Sequence, residues 1–360
     1  MQRFNFAAGP GAVPREILEQ ARDEMLDWHG TGMSVLEMPF TGPAFGKILA
    51  AAGNDLRHLL GIPPSHRTLL LQGGAYAHFA LVPMNLLRGR GTADYVETGH
   101  WSRRAITEAR RYCQVNVAAS SAMSGFDRVP PLTQWHLDTE AAYCHITTNE
   151  TAEGVQFHWT PDSGETPLVA DMTSDFLSRP VDVAQYGLIY ASAQKNVGPA
   201  GLTVVIVRED LLGHPLANTP TVFDYGGQAD SDSKVNTPPT YSIYVAGLVF
   251  QWLRRQGGLV EMARRARSRS ARVYAAIDGS GGFYRCSIEH PDRSIVNVCF
   301  HLADETLERT FLEQADSQGL LNLKGHPVHG GLRASLYNAM TEEGVDGLVA
   351  FMEEFRRRWG

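Results

Sequence analysis

Lys195 lies in the stretch GLIYASAQKNVGPAG, residues 187–201. Leu188, Ile189, Tyr190 and Ala191 read as a buried strand, and the Gly-Pro-Ala-Gly that follows forbids a regular element. The lysine therefore falls on a constrained loop at a strand end, beside only Ser192, Ala193, Gln194 and Asn196. Partial burial there disfavours the ammonium form, lowers the pKa and leaves more free amine for imine formation. Asp171 ends a second apolar run, Leu168-Val169-Ala170, where an unpaired buried carboxylate is costly and calls for a cationic partner. Gly73-Gly74 joins an apolar strand, Leu69 to Leu71, to a helix start, and such a turn offers backbone N–H groups to an anion. Trp101 marks a further strand-to-helix junction, where an indole can stack on a planar ring. Each feature alone also has a plain structural reading, as a surface lysine, a strand cap or a core tryptophan.

Together they match what pyridoxal phosphate requires: an imine-forming amine, a carboxylate to keep the pyridine nitrogen protonated, an anion cup and a stacking surface. The elements that must position them alternate strand, turn and helix through about residue 210, with polar residues at strand carboxyl ends. That pattern predicts an open, mostly parallel α/β sheet binding its ligand along one edge. Helices are expected from Pro14-Arg15 to His29-Gly30, from about Gly46 to Leu60, and from about Ala75. A helix ending at Gly257-Gly258 is followed by a long basic-faced one, whose arginines read as a solvated face. Strands near Ile295 to His301 and Gly331 to Leu336, with helices near Thr306 to Gln318 and Val345 to Arg358, predict a smaller α+β unit. The division expected is 16–258 for the large domain, and 1–15 with 259–360 for the small one.

The 360 residues are 43% apolar, enough for a sizeable core, and the net charge of -7 gives no sign of nucleic-acid binding. The start lacks the basic and apolar regions of a signal peptide, and no apolar run approaches membrane-spanning length. A soluble, cytoplasmic protein is expected. Cys113, Cys144, Cys286 and Cys299 show neither CxxC nor Cys/His ligand spacing, so they read as packing residues in a reducing compartment and no metal is expected.

The chain closely resembles the phosphoserine aminotransferase family over essentially its whole length. The motifs that carry this are FNFAAGP, GMSVLEM, LLLQGGA, ADYVETGHW, NETAEG, VADMTSDFLSRPVDV, YASAQKNVGPAGLTVVIVREDLLG, NTPPTYSIY, GLLNLKGH and GGLRASLYNAM, in family order. The resemblance implies a fold-type I, pyridoxal-phosphate-dependent aminotransferase with a seven-stranded-type sheet in its large domain. It makes Lys195 the Schiff-base lysine, Asp171 the partner of the pyridine nitrogen, and Trp101 the stacking ring. It assigns Ala75, Tyr76 and Gln194 to the cofactor phosphate and Thr151 to the ring hydroxyl. Asn236 and Thr237 would reach a phosphate in the neighbouring subunit, which implies a homodimer with shared active sites. Arg333 would hold the substrate α-carboxylate, a role suited to its bidentate fork.

The departures concern the far end of the substrate. Where the family has serine, histidine, arginine and glycine, this chain has Pro39, Phe40, Thr41 and Gly42, and its His326 is followed by Pro327 in place of arginine. Those positions serve the distal phosphate or carboxylate. The sequence therefore favours an aminotransferase between an L-amino acid and a 2-oxo acid with altered side-chain specificity. The alternatives are a genuine phosphoserine:2-oxoglutarate aminotransferase of serine biosynthesis, another reaction on the same cofactor such as elimination or decarboxylation, and a cofactor-binding protein without turnover. His100, His326, His329, Lys324 and Arg103 are the candidate replacement cations.

Overall fold

The computed structural model describes residues 3–360. The chain begins with a short strand, β1 (Phe4–Asn5), and helix α1 (Arg15–Asp23). This helix stops five residues before Trp28, earlier than its periodicity predicts, because side chains beyond it take over the backbone partners. Asp27 accepts the N–H of Gly32 at 2.7 Å, and Thr31 donates its hydroxyl to the carbonyl of Trp28 at 2.8 Å. Helix α2 (Pro43–Leu60) starts earlier than Gly46, since Pro43 suits the first helical position, and ends on left-handed Gly61. Strand β2 (His66–Leu71), helix α3 (Gly74–Leu86), strand β3 (Thr92–Glu97), helix α4 (His100–Ala109) and strand β4 (Gln114–Ser120) alternate as expected.

The alternation then lapses. β5 (Cys144–Thr147), β6 (Asn149–Glu150), β7 (Val155–Gln156), β8 (Leu168–Asp171), β9 (Leu188–Ser192) and β10 (Thr203–Arg208) follow without an intervening α-helix. Their connections, such as TPDSGETP and SRPVDVAQYG, are too rich in proline, glycine and short polar residues for helix. Next come α5 (Tyr225–Asp230), α6 (Thr240–Arg255), α7 (Gly258–Asp278), β11 (Tyr284–Arg285), β12 (Asn297–Leu302), α8 (Glu308–Ser317), β13 (Leu320–Leu321), β14 (Leu332–Ser335) and α9 (Glu342–Trp359).

Seven strands form the main sheet in the order β2-β10-β9-β8-β5-β3-β4, parallel except that β10 runs against both its neighbours. Alternate residues feed two cores. Leu70, Ile146, Ala170, Ile189 and Val204 face one apolar cluster, while Leu69, Leu71, Val169, Tyr190 and Val205 face the other. A sheet buried on both faces explains the unbroken apolar runs read in the sequence. It also leaves the strand ends as the place for polar chemistry. Thr147, Asp171 and Ser192, with the Gly73-Gly74 turn after β2, gather along one edge.

A second unit is built on the antiparallel sheet β11-β12-β14 and the parallel pair β1-β13, with Phe6, Phe300, Phe311, Phe351 and Phe355 in its core. Helix α7 belongs to both units: Leu259 and Met262 pack in the large core, Val273, Tyr274 and Ile277 in the small one. We propose the division 16–258 against 3–15 with 259–360, α7 being the shared element; residues 1 and 2 lie outside the described residues. Midway along α7 the buried Arg269 donates to the carbonyls of Asn338 and Met340. Asn338 in turn donates its backbone N–H to Asn196 Oδ1 at 2.9 Å and its side-chain amide to Leu177 O at 2.8 Å. No helix among the described residues is long and apolar enough to cross a membrane.

Candidate active site

The strand ends enclose a cavity of about 350 Å³ whose lining includes Ala75, Tyr76, Trp101, Thr151, Asp171, Gln194, Lys195, His326 and Arg333. Nine residues singled out by sequence thus meet in one place. Lys195 leaves the end of β9 on the loop expected for it and donates its amine to Thr151 Oγ1 at 2.6 Å. The carbonyl of the same threonine accepts Arg333 Nη1 at 3.1 Å, so one residue spaces the amine from the guanidinium. Burial lowers the Lys195 pKa to about 8, with Asp171 opposing and Arg333 reinforcing the shift.

Asp171 closes β8, in register with Thr147 on β5 and Tyr190 on β9. It is 4% exposed and accepts the N–H of Thr173 at 2.9 Å. Burial raises its pKa, partly offset by Thr173 and by the nearby Lys195. A cation against this carboxylate would hold it ionised, which is what a protonated pyridine nitrogen supplies.

The Gly73-Gly74 turn joins β2 to the start of α3 as expected. Gly73 and Gly74 take φ of 106° and 68°, and a Cβ on Gly73 would come within 2.6 Å of Ala77, so glycine alone permits the turn into α3. The first amide beyond it, Ala75 N–H, donates to Ser192 Oγ at 2.6 Å. Trp101 is the second residue of α4, with its ring centroid 5.8 Å from the Lys195 amine and 5.9 Å from the Tyr76 ring. Its indole Nε1 is buried without a hydrogen-bond partner.

Sequence reading did not foresee what holds Trp101. Glu150 accepts the N–H groups of Trp101 and Ser102, each at 2.9 Å, and Glu153 accepts that of His100 at 2.7 Å. Two acids from the NETAEG segment thus occupy the positive end of α4. Burial and the neighbouring Glu153 push the Glu150 pKa up, against the hydrogen bonds that favour its ionised form. Acids in that motif were the available signal, but their partners lie some fifty residues back.

Other predicted residues lie outside the lining of their own chain's cavity. Asn236 and Thr237 are exposed beside Gln72, which donates to Thr237 O at 3.0 Å. Phe40 packs against the large core; Thr41 and Pro327 are exposed. Among the candidate cations, Lys324 is exposed and pairs through its backbone with Leu332, and Arg103 lies 3.4 Å from Glu97. His100, His326 and His329 instead draw together. Burial and the other imidazoles lower His326 to about 4, burial lowers His100, and contact with Glu153 raises His329.

A depressed amine, a buried carboxylate lacking a strong cationic partner, a glycine-lined cup and an indole beside the amine fit pyridoxal phosphate. The model for aminotransferase class-V matches residues 3–348. The phosphoserine aminotransferase of Laribacter hongkongensis is 56% identical over 360 residues, all of both chains. The solved phosphoserine aminotransferase from Bacillus circulans subsp. alkalophilus superposes with a TM-score of 0.98 at 45% identity, covering 100% of this chain and 99% of that one. The pyridoxal-phosphate-bound phosphoserine aminotransferase from Trichomonas vaginalis gives 0.94 at 37% identity, over 98% and 100% of the two chains. Likeness over the full length and a cavity equipped for this cofactor lead to one assignment: the chain belongs to the class-V aminotransferases and is a pyridoxal-phosphate-dependent enzyme of that family.

Proposed function

We propose that this enzyme is a phosphoserine:2-oxoglutarate aminotransferase of serine biosynthesis, working in the cytoplasm as a homodimer. The observation that carries this is likeness over the whole length: relatives bearing that name match at 52–56% identity over 98–100% of the chain. The altered donor favoured by Phe40, Thr41 and Pro327 yields to this reading. A few changed positions weigh less than whole-length identity, and His326 on the cavity wall offers a polar group for the far end of the substrate.

Pyridoxal phosphate, when bound, supplies an electron-withdrawing ring that stabilises charge left at the substrate Cα. Asp171 would face its ring nitrogen, Trp101 its face, and Ala75, Tyr76 and Gln194 its phosphate, with Thr151 near its hydroxyl. Lys195 would carry the proton between the substrate Cα and the cofactor C4′, an amine near pKa 8 being suited to both transfers near neutral pH. Arg333 would fix the α-carboxylate through charge-assisted hydrogen bonds and so orient the Cα–H bond toward the lysine.

The test is steady-state kinetics with 2-oxoglutarate and a panel of donors. L-phosphoserine should exceed neutral L-amino acids in kcat/KM by about tenfold or more, the discrimination expected from one charge-assisted bond to the distal phosphate. Preference for a neutral donor would overturn the proposal and restore the altered-specificity reading.

A further inference from the structure

At the cavity's outer wall, His326, already proposed to meet the far end of the substrate, belongs to a larger cluster of imidazoles. His100, at the start of α4, meets His326 and His329 from the loop before β14, with ring centroids 4.5 Å apart for His100 and His326 and 5.8 Å for His326 and His329. One ring nitrogen from each lies within 4.8 Å of the other two. Backbone bonds set this arrangement. His329 and Gly330 both donate to the carbonyl of His326, at 3.0 and 2.8 Å, placing two imidazoles one turn apart, while Glu153 holds the N–H of His100.

Glu153 also supplies charge. Its side chain is 4% exposed, and Oε1 lies 2.9 Å from His329 Nε2. Glu153 Oε2, by contrast, is buried without a hydrogen-bond partner. Uncompensated buried polar atoms of this kind are rare and call for a ligand or ion. Neither nearby guanidinium fills the place, since Arg333 donates to Thr151 and Arg103 lies by Glu97.

We infer that His100, His326 and His329 form a three-imidazole site for a borderline divalent ion such as Zn²⁺, with Glu153 as an outer carboxylate and a fourth position open toward the cavity. Imidazole suits zinc, copper and nickel, whereas magnesium and calcium prefer oxygen. Zinc–nitrogen bonds of 2.0–2.1 Å in a tetrahedral set require nitrogens about 3.4 Å apart. Ion binding would therefore require the three rings, none fully buried, to turn toward one another. A carboxylate beside a ligating histidine is the usual outer partner in such sites. An ion here would put positive charge on the wall where Thr41 and Pro327 bring none, and its binding does not depend on which amino acid is the donor.

Holoenzyme stripped with a chelator should take up one Zn²⁺ per chain in equilibrium dialysis, with micromolar or tighter affinity. His100→Asn and His329→Asn should each weaken uptake by at least about tenfold. Cu²⁺ in place of Zn²⁺ should show electron paramagnetic resonance couplings to three imidazole nitrogens, a readout on the unmodified protein that stands even if a variant misfolds. Uptake unchanged in both folded variants, or a Cu²⁺ spectrum with fewer than three nitrogen donors, would overturn the inference.

Discussion

At Lys195 the loss of water and the charges of Asp171 and Arg333 act on one amine, and the loss of water dominates. Its ordinary pKa of 10.5 falls to about 8. The neutral amine is the form that attacks the cofactor aldehyde, and lowering the pKa populates that form at lower pH. Capture of pyridoxal phosphate by apoenzyme should therefore accelerate as pH rises toward about 8 and level off above it, instead of climbing on toward 10.5. Stopped-flow absorbance across a pH series reads this directly, and Lys195→Ala should leave no bond to the cofactor that borohydride can reduce. A rate still rising steeply at pH 10 would mean that burial does not control this lysine. Lys195 and Asp171 were legible in the sequence because each sits at the end of a local apolar run, whereas Arg333 was named only through the family resemblance. The histidine trio was legible only as separate candidates, because proximity between α4 and the loop before β14 is a product of the fold.

Among the elements, α4 shows how packing at a helix start positions a ring in the cavity. Gly99 precedes it, and a Cβ there would come within 2.7 Å of the carboxyl groups of both Glu150 and Glu153. Gly99→Ala should push those acids off the first amides of the helix, at a cost of about 1–2 kcal/mol for each cap lost. Trp101 would move with the helix end, so cofactor affinity should fall as well as thermal stability. Calorimetry and cofactor titration check the pair, and a variant unchanged in affinity would show that the acids do not hold Trp101 in place. The sheet itself was largely readable, since strands buried on both faces announce themselves as apolar runs. The end of α1 and the helix-free stretch between β5 and β10 were less so. There, short polar side chains and prolines decide the backbone against periodicity.

On the scale of the whole molecule, the cavity of one chain lacks several residues that the family resemblance gave it. Asn236 and Thr237 are exposed, in keeping with the proposal that they serve a neighbouring subunit. A variant carrying Asn236→Ala and Thr237→Ala, mixed with Lys195→Ala chains and allowed to exchange subunits, should regain on the order of a quarter of wild-type activity, because half of the dimers would hold one complete site. Recovery no greater than that of the parents would place each site within one chain. The connection running from Arg269 through Asn338 to Asn196 has a mechanical consequence. It ties the midpoint of a long, stiff rod to the residue next to the reactive lysine. Any rocking of the smaller unit about the larger must pivot near that tie, where displacement is least, so the C-terminal elements can swing over the cavity while the amine keeps its aim.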